Sequence, residues 1–364
     1  MEILVKKHNT RMCWEYDAKA NYENYVIKVI SSEEDLKYVL EKSKKCLMFV
    51  GNKERGKKLM ERQNKVKANS AEFIDSMALK KLEVAKQLIQ IAKFEVRFLF
   101  VTNVLDVGVS IVDPEVDTII LDPTTRTEFI QMLARVRTKH DQKITVYVQK
   151  ADLNFFLKRI EAKEEFSQMA LMLLKNRQSD LEKIAAKIEL GNFGEFQPGM
   201  MRNFLCQNSE KKWILNELTC MQTIINMRFC KEMAQKISED ENAFVKEQFS
   251  WLGKEFTEEA YVQKERLEMQ KKKLILRLND FLAKNRKKPM FLADINKELA
   301  SLTDLFRVFP NNGIRSNRTL TKEKFNILCT QWNIPFRIQM KAQVKVPLEK
   351  EKISRKKVYQ LIRL

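Results

Sequence analysis

The sequence holds only two histidines, His8 and His140, and none of its six cysteines forms a C-x-x-C pair. Closely spaced Cys and His make structural zinc sites, and dense cysteines make the disulfide frameworks of small secreted domains. Neither is expected here, so we predict reduced cysteines and no metal site. Two distant histidines also offer little for histidine-based nucleophilic catalysis. Any hydrolysis would have to depend on phosphate electrostatics.

The sequence also lacks a long apolar run. No stretch reaches the roughly 18 to 20 apolar residues that a membrane-spanning helix needs. The first residues, MEILVKKHNT, lack the apolar centre of a signal peptide. With 364 residues, 44% hydrophobic and 32% charged, the chain has the composition of a globular protein of two or three domains. We therefore expect a cytoplasmic protein that contacts no membrane.

Positive charge is plentiful and unevenly placed. The net charge is +19, and the segment from Lys264 to the end holds 25 Lys and Arg against 9 Asp and Glu. A densely negative partner, DNA or RNA, would select such a surface. The alternative is a lysine-rich surface that only aids solubility. The basic clusters adjoin aromatic and apolar residues, which favours nucleic-acid binding. The candidate contacts are Lys271, Lys272, Lys273, Arg286, Lys287 and Lys288.

The apolar patterning divides the chain into three regions: 1–150, 151–260 and 261–364. In the first region, helical stretches alternate with five apolar runs: YVIKVI, CLMFV, VRFLFV, DTIIL and KITVYV. Alternating helices and wholly apolar strands predict an α/β fold with a parallel sheet covered on both faces. Ligands of such sheets bind at the carboxyl ends of the strands. Thr102, Gly108 and Asp122 follow such ends.

The second region shows helical periodicity rich in Met, Leu and Phe, which is typical of core helices. The Gly-containing segment NFGEFQPGMM at 192–201 predicts a loop between helical units. The third region opens with a charged helix and ends in the alternating run FRIQMKAQVKV, which predicts an edge strand or hairpin. We expect a mainly helical region, followed by a small, basic, mixed domain of winged-helix type.

One segment nearly matches a phosphate-binding loop. GNKERGKK, from Gly51 to Lys58, follows an apolar strand and fits G-x-x-x-x-G-K-[ST] except at its last position. Lys58 has no hydroxyl to ligate magnesium and would add positive charge beside the cation. Asp122, at the end of IILD, could supply a carboxylate to hold the metal. A standalone P-loop NTPase therefore remains an alternative.

Two further segments carry possible phosphate chemistry: VTNVLDVGVSI at 101–111 and QMLARVR at 131–137. Gln131 and Arg135 are four residues apart and share a helix face, while Arg137 projects beyond them. Arginines presented in this way can stabilise the charge that builds on a γ-phosphate during transfer. The alternative is a solvated basic helix end.

These segments resemble conserved motifs of superfamily 2 helicases. FVTNVLDVGVSIVDPEVDTIILD resembles motif V, EFIQMLARVR looks like motif VI in its shorter Q-x-x-G-R-x-R variant, and CLMFVGNKERGKKL is similar to motif IV. The resemblance covers residues 15–150, in the right order and spacing. It implies the second RecA-like lobe of a DEAD/DEAH-type helicase, and the closest likeness is to helicase-family proteins of bacterial mobile elements.

The resemblance implies roles for particular residues. Thr102 would contact the nucleic-acid backbone, and Gly108 and Ser110 would lie near the nucleotide ribose and the lobe interface. Gln131 would face the nucleotide. The candidate arginine fingers are Arg135 and Arg137.

The sequence departs from the helicase pattern at two places. Ala134 replaces the usual glycine of motif VI, which leaves the choice of finger arginine open. In addition, no Walker A or Walker B segment is present, so ATP and Mg²⁺ would bind only when a first RecA-like lobe completes the site. We therefore expect the C-terminal half of an ATP-dependent helicase or translocase. The alternative is a non-catalytic nucleic-acid-binding remnant.

Overall fold

The structure is a computed structural model. It describes residues 24–75, 83–102, 110–137, 142–175, 204–207, 213–285, 290–307, 309, 320–348 and 352–364. The chain forms two compact units. The first comprises Met1–Ser31 and Val39–Ala260, and the second comprises Ser32–Tyr38 and Tyr261–Leu364.

The first unit is built on a six-stranded sheet in which every pair of neighbouring strands is parallel. Its strand order is β1-β6-β5-β2-β4-β3. All residues of β2, β4 and β5 are buried, so both faces of the sheet are covered, as the sequence pattern predicts. The strands are β1 Tyr25–Ile30, β2 Cys46–Phe49, β3 Ala71–Ile74, β4 Phe98–Val101, β5 Thr118–Leu121 and β6 Ile144–Gln149.

The helices between these strands begin at polar caps. The Ser32 hydroxyl accepts a hydrogen bond from the Asp35 N–H at the start of the first helix. Asn52 caps the second helix, and Thr125 forms a capping box with Glu128 at the fourth. The helices are α1 Glu33–Lys42, α2 Lys53–Val66, α3 Glu83–Ile91 and α4 Arg126–Arg135.

Strand β3 is not among the five strands that the sequence pattern predicts. Its four residues, AEFI, include the charged Glu72, and so short a run cannot be distinguished from a loop by its pattern. β3 pairs with β4 and forms one edge of the sheet. The Asn64 side chain covers part of this edge, since its amide nitrogen donates to the Ala71 carbonyl and its oxygen accepts from the Ala71 N–H, both at 2.9 Å.

The opposite edge of the sheet is β1. The Asn24 carbonyl accepts from the Ile144 N–H of the neighbouring β6, so the next carbonyl along β1, that of Tyr25, points away from the sheet. The Lys254 ammonium group donates a hydrogen bond to this carbonyl. At each edge of the sheet a side chain therefore forms hydrogen bonds with backbone groups that point away from the sheet.

The rest of the first unit is mainly helical, as predicted. Its described α-helices are α5 Leu153–Lys175, α6 Glu217–Glu239 and α7 Ala243–Ser250. Between α5 and α6 lies a short hairpin of β7 Leu205–Gln207 and β8 Trp213–Leu215 that the pattern does not predict. Phe129 of α4 lies 5.1 Å from Trp251 at the end of α7, and Phe156 of α5 lies 5.0 Å from Phe244 of α7. The predicted loop at 192–201 lies outside the described residues.

Four cysteines can be assessed, and all four are buried and free. Burial raises the pKa of Cys220 to about 11 and that of Cys329 to about 12, so both are protonated and unreactive at neutral pH. These four cysteines are free thiols in the core. Among the described residues, no helix is long and apolar enough to cross a membrane.

The second unit contains three long helices and a three-stranded antiparallel sheet in the order β10-β11-β9. Along the chain the described elements come in the order helix, strand, helix, helix, strand, strand, and the first strand pairs with the last. Among the described residues this order is the one that winged-helix domains have. The elements are α8 Val262–Lys284, β9 Met290–Phe291, α9 Leu292–Arg307, α10 Lys322–Gln331, β10 Phe336–Leu348 and β11 Lys352–Arg363.

A buried ion pair lies within the second unit. The Arg266 Nε is 2.8 Å from the Asp35 Oδ1, and the two residues are only 7% and 0% exposed. Nearby, the Tyr38 hydroxyl donates to Glu265 at 3.1 Å. A buried carboxylate is costly unless it is paired and hydrogen-bonded. Arg266 therefore provides a buried partner for the Asp35 carboxylate.

Candidate functional site

The segment that resembles motif V and the helix that resembles motif VI are joined by backbone hydrogen bonds. The Ile111 N–H donates to the Arg135 carbonyl at 2.7 Å, and the Arg137 N–H donates to the Ile111 carbonyl at 2.9 Å. Ile111 and Val136 thereby form an isolated parallel bridge. The bridge fixes the backbone of both candidate finger arginines, since one bond is accepted by the Arg135 carbonyl and the other is donated by the Arg137 N–H.

The bridge pairs the residues next to Ser110 with those between Arg135 and Arg137. Arg137 is exposed, whereas Ser110 and Arg135 are half-buried. Gln131 lies one helical turn before Arg135 and is exposed. Gln131 and Arg135 thus lie on the last turns of α4, Arg137 lies just beyond its end, and the backbone that follows Ser110 is bonded to this end.

Thr102 does not belong to this group. It directly follows β4, and its N–H donates to the Ile74 carbonyl at 3.1 Å. The arginine end of α4 lies instead near the amino ends of the strands, because the Tyr25 hydroxyl contacts the Val136 carbonyl at 3.4 Å. The segment that resembles motif V therefore begins at the carboxyl end of β4, at Thr102, and ends near the amino ends of the strands, at Ile111. Gly108 lies outside the described residues.

A pocket of about 590 Å³ lies at the carboxyl ends of β1, β2, β5 and β6. This is where the parallel sheet predicts a ligand site. The residues that line it are Ser31, Gly51, Asn52, Arg55, Asp122, Pro123, Gln149, Lys150, Ala151, Asp152, Phe155 and Arg159.

Asp122 holds the loops around this pocket together. Its Oδ2 accepts from the Gly51 N–H at 2.9 Å, and its Oδ1 accepts from Arg55 at 2.7 Å and from the Gln149 amide at 2.6 Å. Arg55 also donates to the Gln149 oxygen at 2.9 Å. Both carboxylate oxygens are thus engaged with protein donors. The described residues contain no group of three or more His, Cys, Asp or Glu that could hold a metal ion.

GNKERGKK does not have the shape of a phosphate-binding loop. Helix α2 begins at Lys53, so Gly56 and Lys57 lie inside the helix and only three residues, 50–52, separate it from β2. A Cβ on Gly56 would lie 2.4 Å from the Phe73 ring. Gly56 therefore serves close packing of α2 on β3. This geometry does not favour the standalone P-loop alternative.

Three cationic residues, Arg55, Lys150 and Arg159, line the pocket together with Asp122 and Asp152. The Arg159 guanidinium stacks on the Phe155 ring at 4.8 Å, and the Lys150 ammonium group lies 3.2 Å from the Glu241 carboxylate. The N-terminus of α2 also opens here, where the Asn52 side chain accepts from the Glu54 and Arg55 N–H groups. Positive side chains and a helix N-terminus suit a phosphate group. Sequence reasoning identified the strand ends but not Arg55, Gln149 or Arg159, which come from separate segments.

Glu128 links this pocket to the start of α4. Burial acts to raise its pKa, but hydrogen bonds from Thr124 and Thr125, together with the charge of Arg159, lower the pKa below its ordinary value of 4.5. A carboxylate whose pKa is lowered by folding stabilises the protein above its unfolded pKa, and this contribution is lost as the pH falls.

Glu128→Gln should therefore destabilise the protein at pH 7 by about 1 kcal/mol, because the charged capping box is lost. The difference from the unaltered chain should shrink as the pH falls below 4.5 and be lost once the pH has fallen through the lowered pKa of the folded state. Urea unfolding of both proteins across this range measures the effect. A difference that stays constant with pH would show that the carboxylate charge contributes nothing.

The predicted nucleic-acid contacts on α8 are in part accessible. Lys272 and Lys273 are exposed, whereas Lys271 is half-buried, with its ammonium group 4.0 Å from the Glu268 carboxylate. Arg286, Lys287 and Lys288 lie outside the described residues.

The chain matches no model of a known protein family and no curated protein. Its function must therefore be inferred from its own residues.

Proposed function

We propose that this chain is the second RecA-like lobe, with the helical and winged-helix regions that follow it, of an ATP-dependent nucleic-acid helicase or translocase. In this proposal the chain supplies an arginine to ATP and Mg²⁺ bound by a first RecA-like lobe. The single observation that carries the proposal is the Ile111 bridge, which fixes Ser110, Arg135 and Arg137 at one edge of a parallel sheet.

Two further features support a nucleic-acid substrate. Arg55, Lys150 and Arg159 surround a pocket at the carboxyl edge of the sheet, where a backbone phosphate would meet several positive groups. Thr102 follows a strand that ends at the same edge. The second unit adds a winged-helix arrangement with an excess of basic residues, including Lys272 and Lys273 on α8. DNA and RNA both carry the phosphate that these groups would bind.

The proposal predicts binding without turnover for the purified chain. Its residues include no Walker A segment, so ATP hydrolysis should stay at background with or without single-stranded DNA. Binding to the same DNA should weaken steeply as salt rises, because released counterions drive phosphate contacts. Addition of a first RecA-like lobe that carries Walker A and Walker B segments should restore hydrolysis.

The outcomes separate the candidate functions. DNA-stimulated hydrolysis by this chain alone would contradict the proposal and favour a nucleotide site within it. Binding without turnover, even after a first lobe is added, would favour the non-catalytic nucleic-acid-binding protein. The winged-helix arrangement of the second unit is the observation that favours this second candidate.

A further inference from the structure

The pocket at the carboxyl ends of the strands lies where the connections of the sheet change direction. In the order β1-β6-β5-β2-β4-β3, the chain leaves β2 through α2 toward β3, and it leaves β5 through α4 toward β6 on the other side. Right-handed crossovers that run in opposite directions place their helices on opposite faces of a sheet. The loops after β2 and β5 therefore diverge, and ligands of parallel sheets bind in such a crevice. Gly51 and Asn52 line the pocket from the first loop, and Asp122 and Pro123 line it from the second.

Three hydrogen-bond donors in this crevice point at the Asp122 carboxylate. They are the Gly51 N–H at 2.9 Å, the Arg55 guanidinium at 2.7 Å and the Gln149 amide at 2.6 Å. A backbone N–H at the start of a helix and a guanidinium are also the donors that proteins use to bind phosphate. Asp122 is only 8% exposed. The protein's own carboxylate therefore takes the position that an anionic ligand of these donors would take.

Of these three donors, Arg55 is the one that a ligand can take over. Its side chain is 29% exposed, against 11% for that of Asp122, and both residues line the pocket. Arg55 donates from one nitrogen to Asp122 and from another to Gln149. A phosphate group offers more acceptor oxygens than a carboxylate, and a phosphate monoester also carries more negative charge. A phosphate inside the pocket can therefore compete with Asp122 for the Arg55 guanidinium.

Two other cations of the pocket can attract a phosphate without disturbing Asp122. The Arg159 guanidinium lies over the Phe155 ring, 4.8 Å from its centroid, and both residues line the pocket. The Lys150 ammonium group lies 3.2 Å from the Glu241 carboxylate, whose side chain is mostly exposed. An ion pair with so exposed a partner is weak, so Lys150 can turn to a phosphate at little cost.

We propose that Asp122 is an internal competitor for phosphate: its carboxylate holds Arg55 until a phosphate group enters beside Lys150 and Arg159 and takes Arg55 over. An anion that offers no more than a carboxylate does not displace Asp122, so the exchange makes the pocket selective for phosphate. The inference rests on the proposed function only in taking phosphate as the ligand of this pocket. That phosphate belongs to a nucleic-acid strand or to a free small molecule, and the test separates these two sources.

The test compares two variants of the full chain with the unaltered protein. Asp122→Asn keeps the shape of the side chain and removes the competing charge. The double variant, Asp122→Asn with Arg55→Gln, replaces the ion pair by two neutral amides and leaves the net charge unchanged, so it should fold even if the single variant does not. Binding of inorganic phosphate is measured by titration calorimetry, and binding of a ten-nucleotide single-stranded DNA by fluorescence anisotropy. Both titrations are made at constant ionic strength so that screening is equal.

Asp122→Asn should tighten phosphate binding by about tenfold, because Arg55 no longer has to leave a carboxylate and a hydrogen bond to a charged group contributes that much or more. The double variant should bind about threefold or more weakly than the unaltered chain, because it lacks the Arg55 contact with the ligand. A gain with the DNA strand identifies strand phosphates as the ligand. A gain with inorganic phosphate alone identifies a free phosphate-bearing molecule.

Asp75→Asn is the matched control. Asp75 directly follows β3, as Asp122 follows β5, and it is also 8% exposed. Its carboxylate lies 3.4 Å from Lys53 of α2, but it is not among the residues that line the pocket. An equal gain from Asp75→Asn, or equal affinity of the double variant and the unaltered chain, would overturn the inference and leave the proposed function standing.

A different result would reach further. If neither probe binds to the unaltered chain or to Asp122→Asn, the pocket is not a phosphate site. That outcome would contradict this inference and also the part of the proposed function that places a backbone phosphate there.

Discussion

Arg135→Ala should reduce ATP hydrolysis by about 10³-fold or more once this chain is completed by a first RecA-like lobe, since an arginine finger contributes 10³ to 10⁵ in kcat. The Ile111 N–H holds the Arg135 carbonyl at 2.7 Å, so the residue is presented from fixed backbone. Its guanidinium would stabilise charge that exists only in the transition state. Steady-state hydrolysis at saturating nucleic acid measures the loss.

The controls for this experiment separate the two candidate fingers. Arg137→Ala tests the exposed neighbour, and a loss confined to that variant would make Arg137 the finger. Arg62→Ala removes an exposed arginine from α2 and should leave the rate unchanged. Because Arg135 is half-buried, its thermal unfolding and nucleic-acid affinity should be measured too. Hydrolysis at the unaltered rate in both Arg135→Ala and Arg137→Ala would refute an arginine-finger role for this edge.

Arg266→Ala is expected to destabilise the second unit by about 3 to 5 kcal/mol, the cost of leaving one partner of a buried ion pair uncompensated. Asp35 is fully buried, and the Arg266 Nε lies 2.8 Å from its Oδ1. The alanine variant would leave that carboxylate in the core without its guanidinium. Urea unfolding, followed by circular dichroism, gives the change in the free energy of unfolding.

A matched substitution on the same helix tests whether burial is the cause. Arg277→Ala removes an exposed arginine from α8 and should change stability by no more than about 0.5 kcal/mol. Replacing both partners, with Asp35→Leu and Arg266→Met, should recover much of the lost stability because no buried charge remains. Equal effects of Arg266→Ala and Arg277→Ala would show that the buried pair contributes little.

The parallel sheet could be predicted because its strands are apolar along their whole length and alternate with amphipathic helices. β3 could not, since four residues with Glu72 among them carry no clear period. The strand order could not be predicted either, because buried strands look alike in sequence. The Asp122 network joins Gly51, Arg55 and Gln149, and these residues meet only because β5 lies between β2 and β6.

Part of the candidate site follows from local spacing in the sequence. Gln131, Arg135 and Arg137 lie on one helix and its end, so their relative placement follows from helical geometry. The backbone bridge to Ile111 depends on a long-range contact that no local pattern indicates. The basic clusters of the last region were equally visible in the sequence. Their division between α8 and the hairpin of β10 and β11 was not.

The side chains at the two edges of the sheet bear on how the protein behaves at high concentration. Exposed backbone on an edge strand can pair with a strand from another molecule and so begin aggregation. On β3 the Asn64 side-chain amide forms hydrogen bonds with the outward-pointing N–H and carbonyl of Ala71. On β1 the Lys254 ammonium group donates a hydrogen bond to the Tyr25 carbonyl. Two polar residues, far apart in the sequence, thus protect this very apolar sheet from intermolecular strand addition.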